Sequence, residues 1–370
     1  MTILRLGPVR FPDQTAPGAG TRHERQMAAA DGLIVHDAEA LNCETLPAYL
    51  GEDVTPTSQF FRRSHFRLPV IDRSAWRLAV GGLVHRPLCL SLPELTALPP
   101  QTLTVTLECA GNGRARFQPP TPGVQWAGGA AGTAEWTGAR LADVLDRAGI
   151  RPDAREIVFS GADSGPVDGA PGETRFERSL TVRDALESGA LLAYAMNGRP
   201  LPVRHGYPLR LVVPGWYGVA SVKWLTDIRL TADPFDGYFQ TSHYVRESAS
   251  AREPVRLQKV RSVITRPGDG QRFPVGVLIV RGVAWSGAAP VARVEVSAAD
   301  GPWQRARLVG AAAPHGWQRW EFLATGLRPG ATRIRSRAVD LAGNAQPEQP
   351  EWNRLGYEAN FADEITVRLH

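Results

Sequence analysis

Long apolar runs are missing from this 370-residue chain. The longest, around Val212, falls far short of the roughly 20 residues a membrane helix needs, which excludes a helical membrane span. Cysteine is scarce: Cys43, Cys89 and Cys109 form neither a metal-ligand spacing nor an even disulfide framework, so a reduced compartment is the natural reading. No dinucleotide fingerprint, P-loop, HExxH, GxSxG or haem-attaching CxxCH occurs, and any haem would have to reside on another protein. The positive excess of +5, with a pI near 9.4, comes from scattered arginines with no basic block. That distribution argues against nucleic acid as a partner and is compatible with anionic substrates. The opening MTILRLGPVRFPDQ carries neither the apolar stretch nor the small-residue cleavage site of a signal peptide. It predicts a cytoplasmic protein, with a periplasmic location open should a leader have been removed.

What is present is ordinary globular composition, 43% hydrophobic and 21% charged, over a length that predicts two domains. Residues 1–55 are rich in Pro, Gly and Asp and read as an irregular lead-in. From 56 to 250, short strand patterns alternate with short helical ones. In LTVTLEC, Leu103, Val105 and Leu107 alternate with polar residues as a strand requires, and Cys109 sits at its exit before a Gly-containing loop. LADVLDRAG places Leu141, Val144, Leu145 and Ala148 on one helical face, with Gly149 as a stop. Ser91 with Glu94, and Thr181 with Asp184, have capping-box spacing and predict helices near 92–98 and 182–188. RESASAREP, 246–254, reads as a polar linker. From 255 to 370 only strand-like runs occur between turn clusters, which predicts a β-sandwich.

A thiol before Gly111 and Gly113, flanked by Arg114 and Arg116, suits a reactive or metal-bound thiolate, because positive charge and loop N–H groups lower a cysteine pKa. By base rate Cys109 is more simply a buried core thiol, and local context alone leaves both readings open.

As a string, ECAGNGR resembles the CAGNxR motif of the sulfite-oxidase family, molybdopterin-dependent oxidoreductases whose cysteine ligates molybdenum held by a pterin dithiolene. The similarity continues in order through FFRRSH, the Trp126 segment, AEWTGARLADVLDRAG, VFSGAD, LLAYAMNGRPLPVRHGYPLRLVVPG, SVKWL, VRGVAWSG and AVDLAGNAQP. The resemblance, to a haem-free bacterial-type member, implies an α+β molybdopterin-binding domain followed by an immunoglobulin-like sandwich that mediates homodimerisation. It implies a cofactor site of Arg63, His65, Asp163, His205, Arg210, Ser221, Val222 and Lys223, with Cys109 on the metal. The residue types suit those roles, since Arg and Lys hold phosphate and Asp accepts from pterin N–H groups. Taken singly, His205 and Arg210 would ordinarily be a surface histidine and a solvated arginine.

The resemblance further implies an oxyanion pocket of Arg63, Arg114, Trp126 and Tyr244, although a tyrosine such as Tyr244 also serves as an interface aromatic. The implied activity is oxidation of sulfite to sulfate by oxygen-atom transfer, with electrons passed to a separate protein or other external acceptor. Reduction of nitrate or of a sulfoxide-type substrate, and a non-catalytic scaffold, are the alternatives. Two departures bear on substrate. Gly113 stands where the family has the first of two arginines, and WNRLG replaces WNxRG, so Leu355 stands where the second domain normally contributes an arginine. Arg354 cannot be assumed to replace it, because neighbours on an extended segment face opposite ways.

Overall fold

The protein was analysed as a computed structural model, which describes residues 32–37, 42–247 and 251–370. Most of the N-terminal lead-in lies outside them. Its described part is more regular than predicted, since Leu33–Asp37 pairs antiparallel with Asn42–Thr45. Glu44 on that hairpin is buried and accepts from the backbone N–H groups of Ala127, Gly128 and Gly129 at 3.0–3.2 Å. A buried carboxylate satisfied by three backbone donors gives the lead-in a fixed seat that proline and glycine content does not reveal.

The first unit contains two five-stranded sheets. One is built on Pro100–Glu108, Ala131–Arg140 and Leu191–Met196, all antiparallel. The other is built on Leu78–Gly82, Leu225–Thr231 and Glu156–Gly165, with the first two parallel. The predicted helices are present. Leu92–Thr96 begins on a full capping box from Ser91 and Glu94, Val182–Glu187 begins on Thr181, and Leu141–Ala148 ends at Gly149 with φ 71°. Leu141, Val144, Leu145 and Ala148 are all completely buried, as their spacing requires, in a core shared with Leu78, Ile157 and Ile228.

The second unit is a sandwich of a four-stranded and a five-stranded sheet. Its core includes Val280, Val294, Val296, Trp320, Ile334 and Val367 from alternating strand positions. The described ends of the stretch predicted as a linker form a strand pair, Val245–Glu247 against Arg252–Pro254. Buried Val245 and Val255 anchor its two ends, Arg252 pairs with Glu247 at 2.6 Å, and Arg246 reaches Glu351 and Glu358 of the second unit. The polarity of its described ends is that of an exposed strand pair.

The Pro100–Glu108 strand shows how the units join. The sequence suggests one apolar face and one wet face, but Thr106 and Glu108 on the polar face are also buried. The sandwich covers them: Thr106 N–H bonds His315 C=O at 2.9 Å, and Glu108 pairs with Arg261 at 3.1 Å. Cys109 therefore leaves its strand at the junction of the two units. No described helix is long and apolar enough to cross a membrane.

Candidate active site

Cys109 is fixed by its backbone: its N–H bonds Ala130 C=O at 2.8 Å, and its C=O accepts from Asn112 N–H at 2.9 Å. Asn112 is pinned in turn, with Nδ2 on Glu108 Oε1 at 3.0 Å and Oδ1 accepting from Ala130 N–H at 3.0 Å. Cys109 lines two adjoining cavities, both of which are also lined by Arg63 and Tyr244. Burial pushes the Cys109 thiol up, and this outweighs the lowering by Arg63, the Gly111 N–H and Arg114. The expectation that flanking charge would depress this pKa is corrected: burial outweighs the arginines and favours the protonated thiol.

The first cavity brings together Arg63, His65, Asp163, His205, Arg210, Ser221 and Lys223. Most of the predicted cofactor residues thus meet across more than a hundred residues of chain. Arg62 and Arg204, which lie within the strings FFRRSH and PLPVRHGYP but are not among the expected site residues, line it too. Lys223 Nζ is held at 2.8 Å from Arg63 C=O and 2.6 Å from Ser64 Oγ. Burial lowers its pKa to about 7, opposed by Asp163, while burial raises Asp163 to about 6, opposed by Lys223. Asp163 Oδ1 is buried without a hydrogen-bond partner. Gly161 makes room for it, since a Cβ there would lie 2.5 Å from that oxygen.

Arg210 is buried, donates to the carbonyls of His205 and Ser221 at 3.0 Å, and lies over the Trp136 ring at 4.8 Å. Burial lowers its pKa to about 9 and holds His205 well below the usual histidine value. Val222 departs from prediction. Its side chain is in the hydrophobic core, and its backbone N–H and C=O are taken by Ala220 and Leu211. It therefore faces away from the cavity that Ser221 and Lys223 line.

The second cavity collects Arg63, Cys109, Arg114, Trp126, His243, Tyr244, Leu355 and Tyr357. Tyr244 adopts φ 55°, and its hydroxyl lies 2.7 Å from His65 Nε2. Its ring stacks on Tyr357 with centroids 5.0 Å apart. Burial and the charge of Arg63 keep His65 well below the usual histidine pKa, so the ring is neutral at neutral pH. Arg114 spans the two units, with Nε on Gly356 C=O at 3.3 Å, Nη1 on Val124 C=O at 3.2 Å, and its guanidinium 5.0 Å from the Tyr357 ring centre. It sits in a socket of glycines, for a Cβ on Gly111, Gly123 or Gly356 would come within 3.0 Å of its side chain.

Leu355 is buried against this pocket, whereas Arg354 points outward to Glu247 at 2.8 Å. The arginine next to the altered position therefore does not restore its charge. His243 was not anticipated; only its place beside Tyr244 in TSHY signals it. Among the described residues, no three His, Cys, Asp or Glu side chains gather to hold a bare metal ion.

Comparison with known proteins fits this geometry. Residues 65–239 match the family described as oxidoreductase molybdopterin binding domain, and residues 253–369 match the Mo-co oxidoreductase dimerisation domain. The chain is 37% identical to sulfite oxidase of Gallus gallus, covering 93% of this chain and 79% of that protein. It is 33% identical to sulfite oxidase of Arabidopsis thaliana, covering 91% of this chain and 94% of that one. The sulfane dehydrogenase SoxCD from Paracoccus pantotrophus superposes with a TM-score of 0.81 at 27% identity, covering 93% and 90% of the two chains. The chain belongs to the sulfite oxidase family of molybdopterin-dependent oxidoreductases.

Proposed function

We propose that the protein oxidises sulfite to sulfate at a molybdenum centre ligated by Cys109, passing the electrons to an external acceptor. The observation that carries this reading is that Cys109, Arg63 and Tyr244 line both the basic cavity and the adjoining pocket of Arg114 and Trp126. The donor set fits a pterin-borne metal. One buried thiol lines a cavity rich in cations, and the unpartnered Asp163 Oδ1 is an acceptor suited to a pterin N–H. The absence of a multidentate cluster among the described residues suits a metal that brings its own dithiolene.

Arg63, Arg210 and Lys223, with Ser221 and His205, would hold the pterin and its phosphate, and His65 would pack beside it. When bound, the molybdenum centre supplies the oxygen-atom transfer and takes up the electron pair. The chain's own contribution is orientation. Arg63 and Arg114 attract the anion and align it. Buried Trp126 forms a wall that excludes water. Tyr244 Oη, held by neutral His65, presents a hydrogen bond toward the reacting anion and can relay a proton through His65 Nε2.

Residues 56–250 form the cofactor-binding domain and 255–370 the dimerisation domain in this proposal, with the chain acting as a homodimer. The test is turnover of purified holoprotein with sulfite and an artificial oxidant, set against nitrate and an artificial reductant. Sulfite-dependent reduction of the oxidant without nitrate turnover supports the reading; nitrate turnover alone overturns it.

A further inference from the structure

We infer that Arg261, from the sandwich, is a positioning residue for the Cys109 ligand loop: its buried ion pair with Glu108 and its bond to Asn112 carry the sandwich's hold to the metal-binding thiol. This rests on the reading of Cys109 as the ligand. Both partners are almost completely buried, with side-chain exposures of 4% and 2%. Arg261 Nη1 donates to Glu108 Oε1 at 3.1 Å, to Asn112 C=O at 3.1 Å and to Ala359 C=O at 3.2 Å. Glu108 immediately precedes Cys109, and Asn112 closes the turn by its N–H bond to Cys109 C=O. Trp285 of the sandwich adds a bond from Nε1 to Glu108 Oε2 at 2.9 Å. The residue before the thiol and the end of its turn are therefore both held from the second unit.

Gly113 belongs to the same arrangement. It has φ 85°, and a Cβ on it would lie 2.9 Å from Arg261 Nη2 and 2.7 Å from Ala359 C=O. A side chain at 113 would crowd the Ala359 carbonyl and press on the guanidinium of Arg261. Arg261 lines neither cavity, and its charge is paired with Glu108 behind the turn. Groups that orient a metal ligand through a second layer of hydrogen bonds typically change metal affinity or activity by about 10–100-fold when removed.

A buried pair broken on one side leaves an uncompensated charge, so single neutral variants risk unfolding. The test therefore uses E108Q/R261M, which leaves no charge unpaired and removes the bond to Asn112, alongside R261K, which keeps charge and a donor. Each full-length variant is loaded with cofactor and compared with wild type by unfolding midpoint, molybdenum content, the thiolate-to-molybdenum absorption band, and KM and kcat for sulfite. For the double variant the expected result is a folded, metal-containing protein with a displaced band, KM within about twofold and kcat lowered about tenfold or more. R261K should recover most of the band and of kcat. A folded double variant with the wild-type band and kcat overturns the inference. So does a double variant that no longer folds, because the pair then serves the fold alone. A wild-type protein that binds no molybdenum overturns the ligand reading itself and is recognised before any variant is measured.

Discussion

Tyr244 Oη and His65 Nε2 lie 2.7 Å apart although 179 residues separate them in the chain. His65 lines the basic cavity, and Tyr244 lines both that cavity and the adjoining pocket beside Cys109. Tyr244→Phe removes only the hydroxyl, which should cost about 1 kcal/mol of stability while kcat for sulfite falls on the order of 10²-fold. Steady-state kinetics with a denaturation curve checks it; unchanged kcat would remove Tyr244 from the chemistry.

Leu355 and Arg354 set the charge of the pocket. Leu355→Arg directs a further cation beside Arg63 and Arg114, so KM for sulfite should fall about tenfold and become more sensitive to salt. Arg354→Ala, by contrast, breaks only an exposed pair with Glu247 and should change stability by less than about 1 kcal/mol and KM hardly at all. KM values measured at low and high ionic strength separate the two.

Glu44 holds the Ala127–Gly129 backbone next to Trp126. Glu44→Ala removes the acceptor of those donors, of which the Gly129 N–H is buried, and should destabilise the protein by about 1–3 kcal/mol. Urea denaturation measures the loss, and a value near zero would mean that the lead-in has no structural hold on the pocket.

Lys223 supplies a pH signature. Its pKa is lowered to about 7 by burial, so in cofactor-free protein the folded state gives up this proton at lower pH than the unfolded chain. The cost of burying the charge is complete below about pH 7 and fades as pH rises toward the ordinary lysine range. Stability of the cofactor-free protein should therefore rise with pH between about 7 and 10, where the unfolded chain binds more protons. Denaturation curves across that window should show a steeper rise for wild type than for Lys223→Met, and equal slopes would contradict the assignment.

The parts of this protein readable in its sequence are those written locally. The helix at Leu141–Ala148 is fixed by four apolar residues and a terminal glycine, and the site segments are contiguous strings. The features that a linear reading does not reach depend on distant pairs. Glu44 serves backbone 83–85 residues away, and Arg261 meets Glu108 at a separation of 153. A glutamate at the end of a buried strand is a charge in need of a partner, and Glu108 was the available signal. Its partner could not be named, because strand alternation says which face is polar but not whether water or another sheet covers it. The Cys109 pKa runs against the sequence expectation for a related reason: the adjacent arginines are visible in the sequence, while the burial that outweighs them is a property of the assembled fold.

Ligation of molybdenum by Cys109 underlies every role assigned to the site, and X-ray absorption at the molybdenum edge reads it without relying on turnover. Wild type and Cys109→Ser, both loaded with cofactor, are compared for sulfur neighbours. Wild type should hold about one molybdenum per chain, and the variant should show one sulfur fewer around the metal. An unchanged sulfur count in Cys109→Ser would mean that the thiol is not the ligand.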